Sequence, residues 1–507
     1  MEWLNALMTW LMKRRFSQIE RFMLSPHDVQ EELFRYLINH AKNTEWGRKY
    51  GYKDISNRTQ FKQNVPVITY EQLFPYIERM MRGEQNLLWA SEISRFSKSS
   101  GTTNARSKFI PVSEEALEEC HYKCGKDLLC LYVNNYPDTK IFQGKNLGIG
   151  GSFQQNHLNP NSYYGDISAL LMKNLPIWAE FLRTPSLDIA LMDKWEEKIE
   201  KIAQTTIKEN VTVISGVPTW TIVIIQRILE ITGKKHIGEV WENLEVFFHG
   251  AVSFAPYKTL FKNLIPLETM NYMEIYNASE GFFGIQDNKN SDELLLMLDY
   301  GVYYEFIPME EFDSEYPKTL ELHEVEIGKN YAIVISTNAG LWRYKIGDTV
   351  RFTSLSPYRI KITGRTKHFI NAFGEEVVVE NADAAIEKAC QATNAMVNDY
   401  TAAPIFLELG NKGGHEWIIE FRKQPDSLEN FVHTLDSTLR QVNSDYDAKR
   451  YMDIALVMPT VHATSQGTFY EWMRKRGKLG GQNKVPRLSN SREYVEDILK
   501  DLSNKIN

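Results

Sequence analysis

The sequence predicts an α/β protein: a large N-terminal domain of mixed sheets flanked by helices, with a β-barrel-like part, followed by a smaller, mobile α+β C-terminal domain. Three observations carry this reading. The 507 residues exceed the ~250–300 over which one hydrophobic core keeps growing, so more than one domain is required. Short β-like runs alternate with longer helical patterns through the middle of the chain, the order that builds a sheet with substantial parallel pairing. A strand-rich stretch and then a second alternation of helix and strand follow, the latter within about 140 residues, an ordinary domain size.

The elements follow in chain order. Residues 1–90 read mainly as helices, interrupted by "SNRT" and the extended "VPVITY", and form a cap on the main domain. The opening "MEWLNALMTWLMKRRFSQIERFML" has apolar residues at helical spacing, an acid at position 2 and its basic residues only after the apolar part. That order is wrong for a secretory signal, and the apolar run is far below the ~20 residues of a membrane span, so an amphipathic helix packed on the protein body is expected. "TVISGVPTWTIVIIQRILEITG" (212–233) runs from strand through a turn at Gly216 and Pro218 into a helix, and "LEVFFHGAVSFAPYKTLFKNL" (244–264) repeats that order. From 294 to 362, "LLLMLDYGVYYEFIPM", "YAIVISTNAGLWRYKIGDTVRFTSL" and "YRIKITG" are strands rich in aromatic and β-branched residues, expected to be antiparallel or barrel-like. After "ITGRTK", helix and strand alternate again through "VVVENADAAIEKACQAT", "PIFLELG", "EWIIEFR", "SLENFVHTLDSTLRQV" and "MDIALVM". The expected domains are therefore 1–363 and 364–507, hinged near Gly364 and Arg365.

Composition narrows the function. Hydrophobic residues at 43% and charged residues at 24% are those of an ordinary soluble globular protein. Acids outnumber bases 65 to 58, so the chain has no general attraction for a nucleic-acid backbone, and nucleic acid is not an expected partner. Four cysteines, Cys120, Cys124, Cys130 and Cys390, make no disulfide framework and match no common zinc spacing; they read as reduced thiols of a cytoplasmic protein. No other stretch reaches membrane-spanning length. Oligomeric state is open, with a monomer as the expectation. A G-x-S-x-G elbow, an H-E-x-x-H helix and a kinase-type H-R-D set are all absent, and His249, at a strand end, reads as structural.

One polar stretch asks for an explanation. "RFSKSSGTTNARSKFIPVS" (95–113) is rich in hydroxyls around one glycine. It has neither the G-x-x-x-x-G-K-[ST] of a P-loop nor the glycine triplet of a dinucleotide fold. The turn Ser99-Ser100-Gly101-Thr102-Thr103 can bring backbone N–H groups and hydroxyls onto phosphate oxygens, with Lys98, Arg106 and Lys108 as neutralising charge. On its own it reads equally as a solvated surface loop.

Six further stretches lie downstream in a fixed order: "SGVPT" (215–219), "HGAVSFAP" (249–256), "YNASEG" (276–281), "YKIGD" (344–348), "TGR" (363–365) and "GGQNKVPR" (480–487). With "SSGTT" they resemble the adenylate-forming superfamily of acyl-CoA synthetases and luciferases, and within it the GH3 acyl acid amido synthetases. The phosphate loop is short, followed by Asn104, Ala105 and Arg106, and Ile346 stands where acyl-CoA synthetases typically carry threonine; both features are those of the GH3 branch. The aspartate usual after "GR" in the wider superfamily has no counterpart here, so the details of hinge switching differ.

The resemblance implies ATP and Mg²⁺ as cofactors, with a small carboxylic acid and an amino acid as substrates. Ser99, Ser100, Gly101, Thr102 and Thr103 would hold the β- and γ-phosphates. Gly250 and Ala251 would bring backbone beside the adenine, and Tyr276 would stack on it within the nucleotide-binding run Asn277, Ala278 and Ser279. Glu280 would hold Mg²⁺, a hard cation that prefers oxygen ligands and phosphate company. Asp348 would accept hydrogen bonds from the ribose hydroxyls, Arg365 would sit at the nucleotide beside the hinge, and Lys484 would be the mobile catalytic lysine that stabilises charge at the α-phosphate. An acid with an apolar body needs apolar walls, for which the candidates are "GVPTW" (216–220), the helix "ISALLMKNLPIWAEFL" (167–182) and Phe282-Phe283, with Val217, Trp220 and Phe282 foremost. Trp178 and Phe181, at helical spacing, read rather as core. Two alternatives remain: transfer of the acyl group to coenzyme A, and a catalytically silent nucleotide-binding protein of the same fold.

Overall fold

The computed structural model describes residues 2–503 except 104–105, 152, 176, 193, 253, 255–256, 313, 366–368, 408–411, 454 and 477–485; at 2–4, 13–14, 99–103, 106–107, 178, 195–196, 365 and 452 it describes the backbone alone. An eleven-stranded sheet organises the large N-terminal domain. Its parallel half consists of Arg183–Thr184, Lys145–Gly148, Val211–Gly216, Val246–His249 and Asn271–Ala278. Beyond Asn271–Ala278 the pairing becomes antiparallel through Gly281–Ile285, Leu294–Leu296, Tyr358–Arg365, Tyr344–Leu355, Asn330–Thr337 and Val302–Pro308. The strand-rich stretch of the sequence is thus antiparallel and continues the same sheet, and among the described residues its ladder is open.

Side-chain alternation explains why the parallel strands are apolar throughout. Val246 and Phe248 enter the core beneath the N-terminal helices, while the intervening Phe247 enters the core on the opposite face. A strand covered on both faces has no polar side to present. The helix Pro218–Thr232 covers the second face; it begins with Pro218 in its first turn and stops at the left-handed Gly233, φ 63°.

The N-terminal helices do cap the main domain. On the helix Pro26–Ala41, the buried Gln30 donates from Nε2 to the carbonyls of Leu298 and Val302 and accepts from the Tyr304 N–H. Polar groups of a sheet edge are satisfied in this way without water. In the helix Glu2–Leu24, Arg15 forms an ion pair with the buried Asp127 at 2.6 Å. Among the described residues no helix is long and apolar enough to cross a membrane, and all four cysteines are free.

"SSGTT" lies on a hairpin. The strand Arg95–Thr103 pairs antiparallel with Arg106–Val112 from Arg95 opposite Val112 to Thr103 opposite Arg106, with an irregularity between Ser99 and Thr103. The sequence suggests an isolated turn, whereas the backbone remains a strand to the hairpin's end.

The smaller C-terminal domain is α+β. Strands Met396–Ile405, Gly414–Lys423 and Thr460–Thr464 form its sheet. Helices Val379–Thr393 and Leu428–Val442 cover one face, Thr468–Lys475 and Glu493–Ser503 the other. The first of these faces shares one continuous core with the parallel half of the large domain.

Candidate active site

In a parallel sheet, ligands bind beyond the carboxyl ends of the strands, where loops diverge. Here Lys145–Gly148, Val211–Gly216, Val246–His249 and Asn271–Ala278 end beside a single cavity of about 2110 Å³. The residues that follow them, Ile149–Gly151, Val217, Gly250–Val252 and Ser279–Glu280, line it. Val217, Gly250, Ala251, Ser279 and Glu280 meet because they follow the carboxyl ends of neighbouring strands.

At one end of the cavity lie Gly250, Ala251, Tyr276, Asn277, Ala278, Ser279, Glu280 and Asp348. Gly250 has no room for a side chain, since a Cβ would fall 2.5 Å from the Ile275 carbonyl oxygen. Ala251 holds a φ of 70°, a strained value for a residue with a Cβ and one that recurs at ligand-binding turns. Asp348 is buried on the strand Tyr344–Leu355, and the Tyr276 hydroxyl donates to its Oδ2 at 2.7 Å. The Tyr276 ring meets Phe283 edge-on at 5.0 Å. Glu280 lies beside Tyr344, whose hydroxyl is 3.4 Å from Oε1. Burial and the negative charge of Glu280 push the Tyr344 phenol well above its usual pKa, and burial does the same to Tyr70. Lys98, Lys108 and Lys345 also line this end, with the Lys108 ammonium 3.4 Å from the Tyr344 hydroxyl.

Val217 and Trp220 also line the cavity, together with the apolar Ile149, Ile167, Leu171, Met172, Leu175, Ala179 and Leu182, and with the charged Asp166, Arg183, Lys194 and Glu197 among them. The expected helix 167–182 is split into Ile167–Lys173 and Ile177–Leu182, and Phe181 points outward, 65% exposed. The side chain of Trp178 lies outside the described residues.

Phe282 requires a correction. It does not line the cavity: Gly281–Ile285 is buried along its whole length, and the Phe282 ring packs inward against Tyr300 at 6.3 Å. Phe283 is likewise core. A strand enclosed on both faces sends alternate side chains into protein, whereas its neighbour Asn271–Ala278 does reach the cavity.

Three other expectations fall partly or wholly outside the described residues. The side chains of Ser99, Ser100, Gly101's neighbours Thr102 and Thr103, and Arg365 lie outside them, though the backbone of Arg365 pairs with that of Asp348. Lys484, with Gly480 and Gly481, also lies outside. The chain just beyond it is pinned, the Thr401 hydroxyl donating to the Pro486 carbonyl at 2.7 Å, and Leu488–Ser491 line the cavity. Gly364, also lining it, has a φ of 146°.

Sequence reasoning missed several cavity residues. The "GIGG" run at 148–151 was open to detection; its Gly150 carbonyl accepts from the buried Lys198 ammonium at 2.5 Å. Glu71, beside Tyr70, and Lys449, from the C-terminal domain, carry no local motif. His121 lines the cavity from a π-helical turn, Leu117–Tyr122, and burial lowers its pKa to about 4. His249, buried and stacked on Phe254 at 3.9 Å, is lowered to about 3 by the same cause, in keeping with a structural role.

The donor set fits a magnesium–nucleotide substrate. Asp348 and Glu280 present carboxylates at the polar end, and among the described residues no cluster of three or more His, Cys, Asp or Glu could enclose a metal by protein alone. Mg²⁺ bound with phosphates takes only one or two protein carboxylates.

Comparison with known proteins places this architecture. A solved structure of 2-hydroxyisobutyryl-CoA ligase in complex with 2-HIB-AMP and CoA matches 94% of this chain and 92% of that chain, at 12% identity and a TM-score of 0.58. The fold is that of the adenylate-forming ligases. Within that class, a GH3.15 acyl acid amido synthetase structure matches 96% of each chain, at 18% identity and a TM-score of 0.62. Sequence models of the GH3 family N-terminal, central and C-terminal domains match residues 15–270, 295–365 and 380–493, and the chain belongs to the GH3 family. Among curated relatives, the indole-3-acetic acid-amido synthetase GH3.3 of Arabidopsis thaliana is 24% identical, over 92% of this chain and 90% of its own length. The 4-substituted benzoates-glutamate ligase GH3.12 of the same plant is 22% identical, over 94% and 96%.

Proposed function

We propose that this protein is an ATP-dependent acid–amino acid ligase, which activates a carboxylic acid to its acyl-AMP and transfers the acyl group to an amine. The observation that supports this reading is one continuous cavity lined both by Gly250, Tyr276, Glu280 and Asp348 and by the apolar Val217, Trp220 and Met172. An acid and a nucleotide bound in it share one space, as an in-line attack of carboxylate on the α-phosphorus requires.

In the first half-reaction a carboxylate oxygen bonds to the α-phosphorus while the bond to the bridging oxygen breaks and pyrophosphate leaves. In the second, the amine attacks the acyl carbon, AMP departs with the electron pair, and the nitrogen's proton passes to solvent. Asp348, held by the Tyr276 hydroxyl, accepts hydrogen bonds from the ribose. Ser99–Thr103, with Lys98 and Lys108, grip the outer phosphates, and Arg365 sits at the nucleotide beside the hinge. Glu280 would hold Mg²⁺, which would supply neutralising charge to the phosphates when bound. Lys484 brings its cation to the α-phosphate as charge develops. Residues 364–507 are proposed to move as the small domain, and their closure keeps water from the acyl-adenylate.

Exchange of labelled pyrophosphate into ATP, screened over aromatic and aliphatic acids and repeated with amino acids as acceptors, tests this. At least one acid should support exchange, and Lys484→Ala should lose it by about 10²–10³-fold, the usual cost of a transition-state charge contact. Exchange with no acid, or an unaffected Lys484 variant, would overturn the reading. A thioester product with CoA in place of an amide would move the protein to the acyl-CoA branch.

A further inference from the structure

Lys449 enters the cavity from the C-terminal domain, on the helix Ser444–Arg450. The residue is 6% exposed, and its ammonium lies 4.5 Å from the centroid of the Trp220 ring. The tip rests against Gly374, where a Cβ would come within 3.7 Å of Nζ. Among the described residues the ammonium makes no hydrogen bond and no ion pair. Its neighbour shows the contrast: Arg450 is held by Asp436 through two bonds of 2.7 and 2.9 Å.

A buried ammonium facing only an aromatic ring is poorly compensated, because a ring replaces little of the lost hydration. Three carboxylates act on it from a distance, Asp445, Glu375 and Asp166. Glu375 is already engaged by the N–H groups of Ala372 and Phe373 and by the His415 ring. Burial holds the Lys449 ammonium below its usual pKa against the pull of these acids. An anion arriving through the cavity would compensate this charge where the ring and the distant acids do not.

We propose that Lys449 receives a free carboxylate of a substrate, one that is not itself activated. This rests on the ligase reading above, in which two substrates can bring such a group: the amino-acid acceptor, through its α-carboxylate, and an acyl acid bearing a second acidic group. Both place the anion over Trp220, beside the apolar residues where the acyl carbon is presented.

The test compares the wild-type protein with Lys449→Met, which keeps the volume without the charge, and Lys449→Arg, which keeps a cation. Each is given the acid found by the exchange screen and, as acceptor, either an equimolar mixture of the twenty L-amino acids or hydroxylamine, a nucleophile without a carboxylate. If the acceptor carries the anion, the ratio of kcat/KM for amino acids to that for hydroxylamine falls at least tenfold in Lys449→Met, with the acid KM in exchange unchanged. If the acid carries it, the acid KM rises at least tenfold and the ratio stays. In either case the Tm of Lys449→Met rises, because an uncompensated buried charge is removed, and Lys449→Arg recovers part of the lost function. The proposal is overturned if ratio and acid KM both stay within twofold of wild type. It is equally overturned if Lys449→Met lowers Tm and Lys449→Arg restores stability without moving either kinetic quantity, the signature of a structural cation. Absence of exchange in the wild type would instead bring down the ligase reading itself.

Discussion

The hydroxyl of Tyr276 is a single polar atom on which the proposed ribose contact depends, because it donates to the buried carboxylate of Asp348 at 2.7 Å. Tyr276→Phe removes that donor and keeps the ring. Hydrogen bonds to charged groups contribute about 1.5–3 kcal/mol, so the KM for ATP in pyrophosphate exchange should rise about tenfold or more while the KM for the acid stays put. Glu274 makes a pH-dependent contribution instead. Burial, reinforced by Asp292 and opposed by Lys361, raises its pKa to about 7 from an ordinary 4.5. A carboxyl raised on folding binds its proton more tightly in the native state, so stability is greatest below about pH 4.5 for this group and is lost as pH rises towards 7. Glu274→Gln should flatten that part of the curve, and Tm measured from pH 5 to 8 should fall less in the variant than in the wild type. At this scale a residue's place at the cavity was legible wherever it belonged to a motif with its own order, as Asp348 and Glu280 do. Phe282 was misread because adjacency in sequence to Glu280 says nothing about which way an enclosed strand sends its side chains. Lys449 was invisible because its partner, Trp220, is more than two hundred residues away.

Elements are locked together by buried polar groups as much as by apolar packing. Arg343, immediately before the strand Tyr344–Leu355, holds a φ of 42°, and its side chain is 5% exposed, with that of Glu305 at 1%. Its guanidinium donates to both Glu305 oxygens, to the Thr319 hydroxyl and to the carbonyls of Lys62 and Val65. One side chain thus ties the strands Val302–Pro308 and Tyr344–Leu355 to the N-terminal helical part, and it fixes the approach to Asp348. Removing one partner of a buried pair leaves an uncompensated charge, at a cost of about 3–5 kcal/mol. Glu305→Leu should therefore lower Tm sharply, and adding Arg343→Met should recover much of the loss; a double variant no more stable than the single one would contradict the account. The order of the sheet was only half legible. Alternation of strand and helix pointed to the parallel half and aromatic strands to the antiparallel half, but nothing local says that Asn271–Ala278 pairs with both and makes them one sheet. The hairpin carrying "SSGTT" reads as a turn because Gly101 disfavours a strand and the serines do not favour one, and pairing with Arg106–Val112 overrides this.

At the scale of the whole molecule, the two domains meet over one shared core, and specific polar contacts are added to it. Tyr257, buried on the large domain, donates to the Ala372 carbonyl at 2.6 Å and packs on Phe406 at 6.1 Å. Thr219, at the start of the helix that carries Trp220, donates to the Phe373 carbonyl at 3.2 Å. Both acceptors lie just beyond the proposed hinge, and both would be buried and unpaired without their donors. The double variant Thr219→Val with Tyr257→Phe changes shape very little, yet each lost bond leaves an acceptor whose desolvation costs about 1–3 kcal/mol. That cost falls on the seam between the domains, because both bonds cross it. Hydrogen exchange should quicken around Trp220 and along Ser444–Arg450 while the inner strands Val211–Gly216 and Gly414–Lys423 remain protected. A cavity that opens more often admits water to the acyl-adenylate, so the amount of amide formed per AMP released should fall in the variant while pyrophosphate exchange persists. An unchanged amide-to-AMP ratio together with unchanged exchange at Trp220 would mean that closure rests on the apolar core alone, and that these two hydrogen bonds set only the local path of residues 370–374.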